Sequence, residues 1–201
     1  MGFSDILDLA GSILIGGLIM LILFRMNDAA VENVYNNGGE LSLQQNLSVT
    51  AKVLEDDFRR IGYCTDWTKI PDPSKSILLA DSSRIKFLTD VDENGVVDTL
   101  YYYLGPTSEL TQTPNPRDRF LYRVINSPTT SPKAANLGVT QFKLLYFDAL
   151  GDTLDFPIAV PSQVYTLEIN LTVENVAGYN QKYSSAFWRQ IRLVARNLKN
   201  R

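Results

Sequence analysis

Three aspartates and an asparagine alternate with other residues in Asp90-Val91-Asp92-Glu93-Asn94-Gly95-Val96-Val97-Asp98, with glycine in sixth place. Calcium takes carboxylate, amide and carbonyl oxygens at this kind of spacing, and a glycine makes the sharp turn between them. The ligands on offer are Asp90, Asp92, Asn94, the carbonyl of Val96 and Asp98. The glutamate that closes an EF-hand loop is missing, and Tyr101 stands in its place. The stretch also lies between two strand-like segments, where Asn94-Gly95 alone makes a good hairpin turn. A calcium loop and a plain turn are therefore both open, and calcium is the only cofactor the sequence suggests. The chain has no histidine, and Cys64 is its single cysteine. That removes Ser-His and Cys-His catalysis, most zinc sites and an intrachain disulfide. No glycine-rich phosphate loop is present. The net charge of -3 with a pI near 5.0 does not describe a nucleic-acid binder. The expectation is a protein that is not an enzyme.

The elements that would carry such a loop begin with an apolar run, Leu9 to Phe24, closed by Arg25. Extended back to Ile6 it covers roughly the 20 residues that cross a bilayer. Gly11, Gly16 and Gly17 would let a neighbouring helix approach closely, with Leu14, Leu18, Leu21 and Ile22 filling the space between. Asp8 sits at the edge of the run. Two roles are open to it, pairing with the terminal amine of a neighbour or lying in water at the membrane surface. Asn36-Asn37-Gly38-Gly39 follows, and two adjacent glycines cost a helix about 2 kcal/mol relative to alanine. A break or hinge is expected there.

A helical pattern resumes at Glu40. Leu43, Leu47, Ala51, Leu54, Phe58 and Ile61 form one apolar stripe that must dock on something, and Gly62 suits the helix C-terminus. Strands are expected at Ser76–Ala80, Arg84–Leu88, Val96–Leu104, Arg119–Ile125, Val139–Phe147 and Tyr165–Val173. A last strand is expected within Ser184–Asn197, with Phe187, Ile191 and Leu193 as its apolar members. The order, long helix then antiparallel strands, predicts an α+β fold with the helix stripe covering one sheet face. Residues 1–38 form the membrane-spanning part and 39–201 the globular domain.

The run Leu54-Glu55-Asp56-Asp57-Phe58-Arg59-Arg60-Ile61-Gly62-Tyr63 resembles the helix end of PilW-like minor pilins and type II secretion minor pseudopilins. Ile85-Lys86-Phe87, Val97 to Tyr103, Phe120-Leu121-Tyr122-Arg123, Val139 to Tyr146, Val164 to Val173 and Arg196-Asn197-Leu198 resemble that family's later segments in the same order. Gly2-Phe3 resembles its processing junction. The chain departs from the family in having Leu7 where the fifth mature residue is acidic, with Asp8 one place later, and no basic leader precedes the junction. The expected mature chain therefore starts at Met1 or Gly2. The resemblance implies a pilin-like fold and a structural subunit of an extracytoplasmic filament of the type IV pilus or type II secretion kind. It would be anchored in a membrane through its apolar helix and partnered by other pilin-like subunits, as a homo- or hetero-oligomer at the cell surface or in the periplasm. The alternative is a monomeric single-pass protein that displays a β-rich binding domain.

Overall fold

A computed structural model describes residues 2–126, 133–178 and 182–193 of the chain. One helix, α1 (Phe3–Arg59), runs unbroken for 57 residues. Its first half contains no proline, its glycines are Gly11 and the adjacent pair Gly16-Gly17, and the Ser12 hydroxyl donates to the carbonyl of Asp8 at 2.8 Å, so that polar group is satisfied within the helix. The hinge expected at Asn36–Gly39 does not form. Propensity is a weak prior, and at Gly39 a contact from the domain overrides it. The Asn175 side chain lies so close against Gly39 that a β-carbon there would collide with its amide. Glycine is thus the residue that lets the domain touch the helix at this level.

Seven strands follow: β1 (Ile77–Ala80), β2 (Arg84–Thr89), β3 (Asp98–Leu104), β4 (Arg119–Ile125), β5 (Lys133–Phe147), β6 (Thr166–Glu174) and β7 (Ser185–Leu193). They form one antiparallel sheet in simple sequence order, with β1 and β7 at its edges. The architecture is α+β, an apolar helix against an antiparallel sheet. Strand β5 starts earlier than the apolar alternation from Val139 suggests. Gly138, at φ +71°, makes the irregularity that joins its two parts, and a side chain there would strike the carbonyl of Glu174.

Alternation sorts the sheet into two faces. The pairs Ile85–Tyr102, Phe87–Leu100, Phe142–Leu171, Leu144–Ile169 and Tyr146–Leu167 are buried. Leu43, Ala51, Leu54, Phe58 and Ile61 of the helical segment are buried too, and Leu47 packs at the margin of the core. Phe58 meets Phe87 edge-on and Tyr102 at a tilt, each 5.5 Å between ring centres. Gly62, at φ +73°, ends the helical stretch, and its N–H donates to Leu88 at 2.9 Å, tying it to β2.

The last strand is phased differently from the expectation. Ala186 and Trp188 pack on the core, whereas Phe187 is 54 % exposed. Phe187 stands across from Thr172 on the outer face of β6, so register overrules hydrophobicity at that position. The side chains of Ile191 and Leu193, the span 194–197, the loop 128–132 and the Arg196-Asn197-Leu198 segment lie outside the described residues.

Candidate functional site

The sequence marked three places: the apolar helix, its docking stripe and the acidic turn. The helix contains the one window, among the described residues, long and apolar enough to cross a bilayer, and none of that window is buried. Leu14, Leu18, Leu21 and Ile22 are all more than half exposed, and Asp8 is exposed as well. Around Gly11, Gly16 and Gly17 nothing lies within 4 Å of where a β-carbon would sit. Because α1 has no break, its faces can be followed along its length at about 100° per residue. Gly11, Leu14, Leu18, Leu21 and Ile22 share the side that further along carries Leu43, Leu54 and Phe58. Gly16 and Gly17 fall on the opposite side. The seven residues therefore belong to two faces.

The acidic turn departs from the two-residue hairpin expectation, and it brings together the three carboxylates that the calcium spacing offered. Carboxylate oxygens of Asp90, Asp92 and Asp98 come within 4.8 Å of one another. Asp90 is fully buried and accepts the backbone N–H groups of Thr65 (3.1 Å), Gly95 (3.0 Å) and Asn94 (3.1 Å). Burial opposes its charge, yet these donors outweigh burial and hold its carboxyl below the usual aspartate range. Asp98 accepts from the Val91 N–H at 3.0 Å and the Asn126 amide at 2.6 Å. Asn94 donates to Asp92 at 2.9 Å, and its own oxygen is taken by the Val96 N–H at 2.7 Å. Each oxygen the spacing offered from Asp90, Asp98 and Asn94 already holds protein donors. Positive φ falls at Glu93 (61°) and Gly95 (80°), with Asn94 between them. The connection is consequently no two-residue Asn-Gly hairpin turn, which requires positive φ at both of its central residues. It is a wide loop wrapped around the Asp90 carboxylate.

Two polar clusters were not legible beforehand. In the first, Tyr102 and Arg123 converge on Asp57 of α1. The Tyr102 hydroxyl donates to Asp57 Oδ2, and Arg123 reaches Oδ2 with Nε (2.6 Å) and Oδ1 with Nη2 (3.0 Å). Burial, then the Asp57 charge, pushes the Tyr102 hydroxyl well above its ordinary range, so it remains a donor. The Asp57–Arg123 bond raises the guanidinium further. Helix end and β4, two segments that carry the resemblance, are joined by this fork.

In the second cluster, fully buried Asn115 donates to Glu174 (3.0 Å) and to the Asn175 carbonyl (3.1 Å). Arg117 grips Glu174, with Nη2 to Oε2 at 2.8 Å, and stacks over the Tyr183 ring. Beside them Asp118 is 1 % exposed, and neither of its oxygens has a hydrogen-bond partner among the described residues. Burial first, then the Glu174 charge, pushes its carboxyl up to about 6. Contacts between residues about 60 apart have no local sequence signature, and that is why these clusters were missed.

Asn170, which opens a glycosylation-like triplet, is buried and bonded to Glu168 at 2.8 Å and Arg189 at 2.7 Å, so it is committed to the sheet. Comparison with known protein families, characterised proteins and solved structures returns no match.

Proposed function

We propose that this chain is a membrane-anchored, pilin-like structural subunit that assembles into an extracytoplasmic filament through the first half of α1. One observation carries the reading: the same helix is buried on one face from Leu43 onward and bare along an apolar first half. So large an apolar surface needs lipid or like helices around it. In the membrane the helix is an anchor. In a filament, neighbouring helices replace the lipid, and the domains, each on one side of its own helix, form the outside. The protein's work on this reading is assembly, and the partners are other subunits of the same kind.

The test is electron microscopy of the full chain released from its native membrane. Replacing Gly16 and Gly17 by leucine leaves the domain folded and membrane-bound but weakens assembly, because the close approach is lost. Leu18→Lys blocks it more severely, since a buried unpaired ammonium is costly. A Leu18→Lys protein that assembles as well as the parent, or a parent that is monomeric in every detergent, would overturn the reading and favour the single-pass binding protein.

A further inference from the structure

The second polar cluster holds a loop down with side chains. Pro114 and Pro116 have no N–H to give, so the segment leading into β4 cannot be fastened by a regular strand ladder. Instead Asn115 donates to Glu174 and to the Asn175 carbonyl, Arg117 grips Glu174, and the Tyr183 hydroxyl donates to the Pro114 carbonyl at 2.5 Å. The closed loop keeps Asp118 away from water, at 1 % exposure, and gives neither of its oxygens a donor among the described residues. A neutral carboxyl tolerates such a place. A carboxylate buried without a donor does not, and it must take up a proton or reach water. Two charges act on it: Glu174 of β6 opposes ionisation, and Arg117 of its own loop favours it. The Arg117 guanidinium is already held by Glu174 and lies over the Tyr183 ring. Arg119, next in the chain, has a buried Nε that makes no hydrogen bond among the described residues, to Asp118 or otherwise. The contact from α1 to this region is made by Gly39, which bears no charge.

We propose that residues 113–118 form a proton-operated latch, closed on β6 and the β6–β7 connection while Asp118 is neutral and released when Asp118 ionises. The loop is the part that yields. Strand β4 begins at Arg119 and stays paired in the sheet, whereas the loop gives up surface contacts. The Arg117 side chain in the pair with Glu174 is 55 % exposed, and exposed ion pairs contribute little. On release Asp118 meets water and Asn115 lets go of the Asn175 carbonyl. Asn175 also packs against Gly39, so the latch bears on the seam between the domain and α1. The inference concerns the domain alone and is independent of the assembly reading.

Hydrogen exchange of the full chain in mild detergent tests this, followed by mass spectrometry from pH 5 to 7.5 and corrected for the intrinsic pH dependence of exchange. The reporters are the Arg117 and Asp118 N–H groups, which donate to Asn115 in the closed loop. With a carboxyl at about 6 when closed and the ordinary 3.8 when open, opening is about tenfold rarer at pH 5 than at pH 7.5. Protection of a peptide covering 113–119 therefore rises about tenfold towards acid, setting in near pH 6, while a peptide from β2 stays flat. Asp118→Asn, neutral at every pH, keeps the high protection throughout. Loop protection that does not change with pH in the parent overturns the proposal, and so does an Asp118→Asn protein that retains the pH dependence. If that variant does not fold, the parent profile decides by itself: an onset near pH 6 supports the latch and a flat profile overturns it.

Discussion

Asp90 and Asp118 are both buried carboxyls, and their surroundings drive them in opposite directions. Asp90 is ringed by N–H donors that favour its anion; Asp118 has none among the described residues and lies near Glu174. The consequence for stability has a definite sign. Asp118 has a folded value of about 6, above the ordinary 3.8. Between those values the folded chain holds a proton that the unfolded chain has released, so the Asp118 contribution to stability rises as pH falls through 6 and levels off below about 4. Asp118→Asn removes that dependence. The variant is expected to be more stable than the parent at pH 7 by on the order of 1–2 kcal/mol, with the gap closing by pH 4. Thermal melts of both proteins from pH 4 to 8 measure the difference, and a gap that does not change with pH would contradict the assignment.

Along α1, propensity and packing disagree at adjacent residues. Gly38 faces open space and Gly39 faces the Asn175 side chain. Alanine at Gly38 therefore gains the helix preference with no clash, and the folded chain is expected to be more stable by about 1 kcal/mol. Alanine at Gly39 must displace the Asn175 side chain, so the same gain is cancelled or reversed. Chemical denaturation of the two variants side by side distinguishes them. Equal stabilisation would mean that the Asn175 contact does not hold the helix. The contact is of interest because Asn175 also takes the Asn115 amide on its carbonyl, linking helix, β6–β7 connection and the loop before β4 in one chain of contacts.

For the molecule as a whole, the core begins at Leu43 and takes nothing from the first half of α1. A fragment starting near Glu40 keeps the docking stripe, the Asp57–Arg123 fork and the whole sheet. It is expected to fold, to stay in solution without detergent and to melt within a few degrees of the full chain, while losing all binding to lipid vesicles. Within that fragment Leu54→Ala, at a site 1 % exposed, should cost about 2–5 kcal/mol. A fragment that unfolds would show that the apolar half supports the domain, and an unchanged Leu54→Ala would place the stripe outside the core.

The local pattern of the chain was enough to determine the elements. Helical spacing from Leu43 to Ile61 marks the stripe that the core buries, alternation from Tyr165 to Val173 marks β6, and the uncharged run before Arg25 marks the membrane-competent segment, because periodicity and run length depend only on neighbours in sequence. Tertiary structure decided the rest. It carried the helix through Gly38-Gly39, since Asn175, more than 130 residues away, packs against it. It turned Phe187 outward, since sheet register and not hydrophobicity sets the face of a strand residue. It converted an acidic spacing into a loop organised by backbone donors around Asp90, two of them from within the loop and one from Thr65, a residue the spacing does not include. Each of these outcomes depends on which distant groups arrive within hydrogen-bond or van der Waals reach, and that information exists only once the chain is folded.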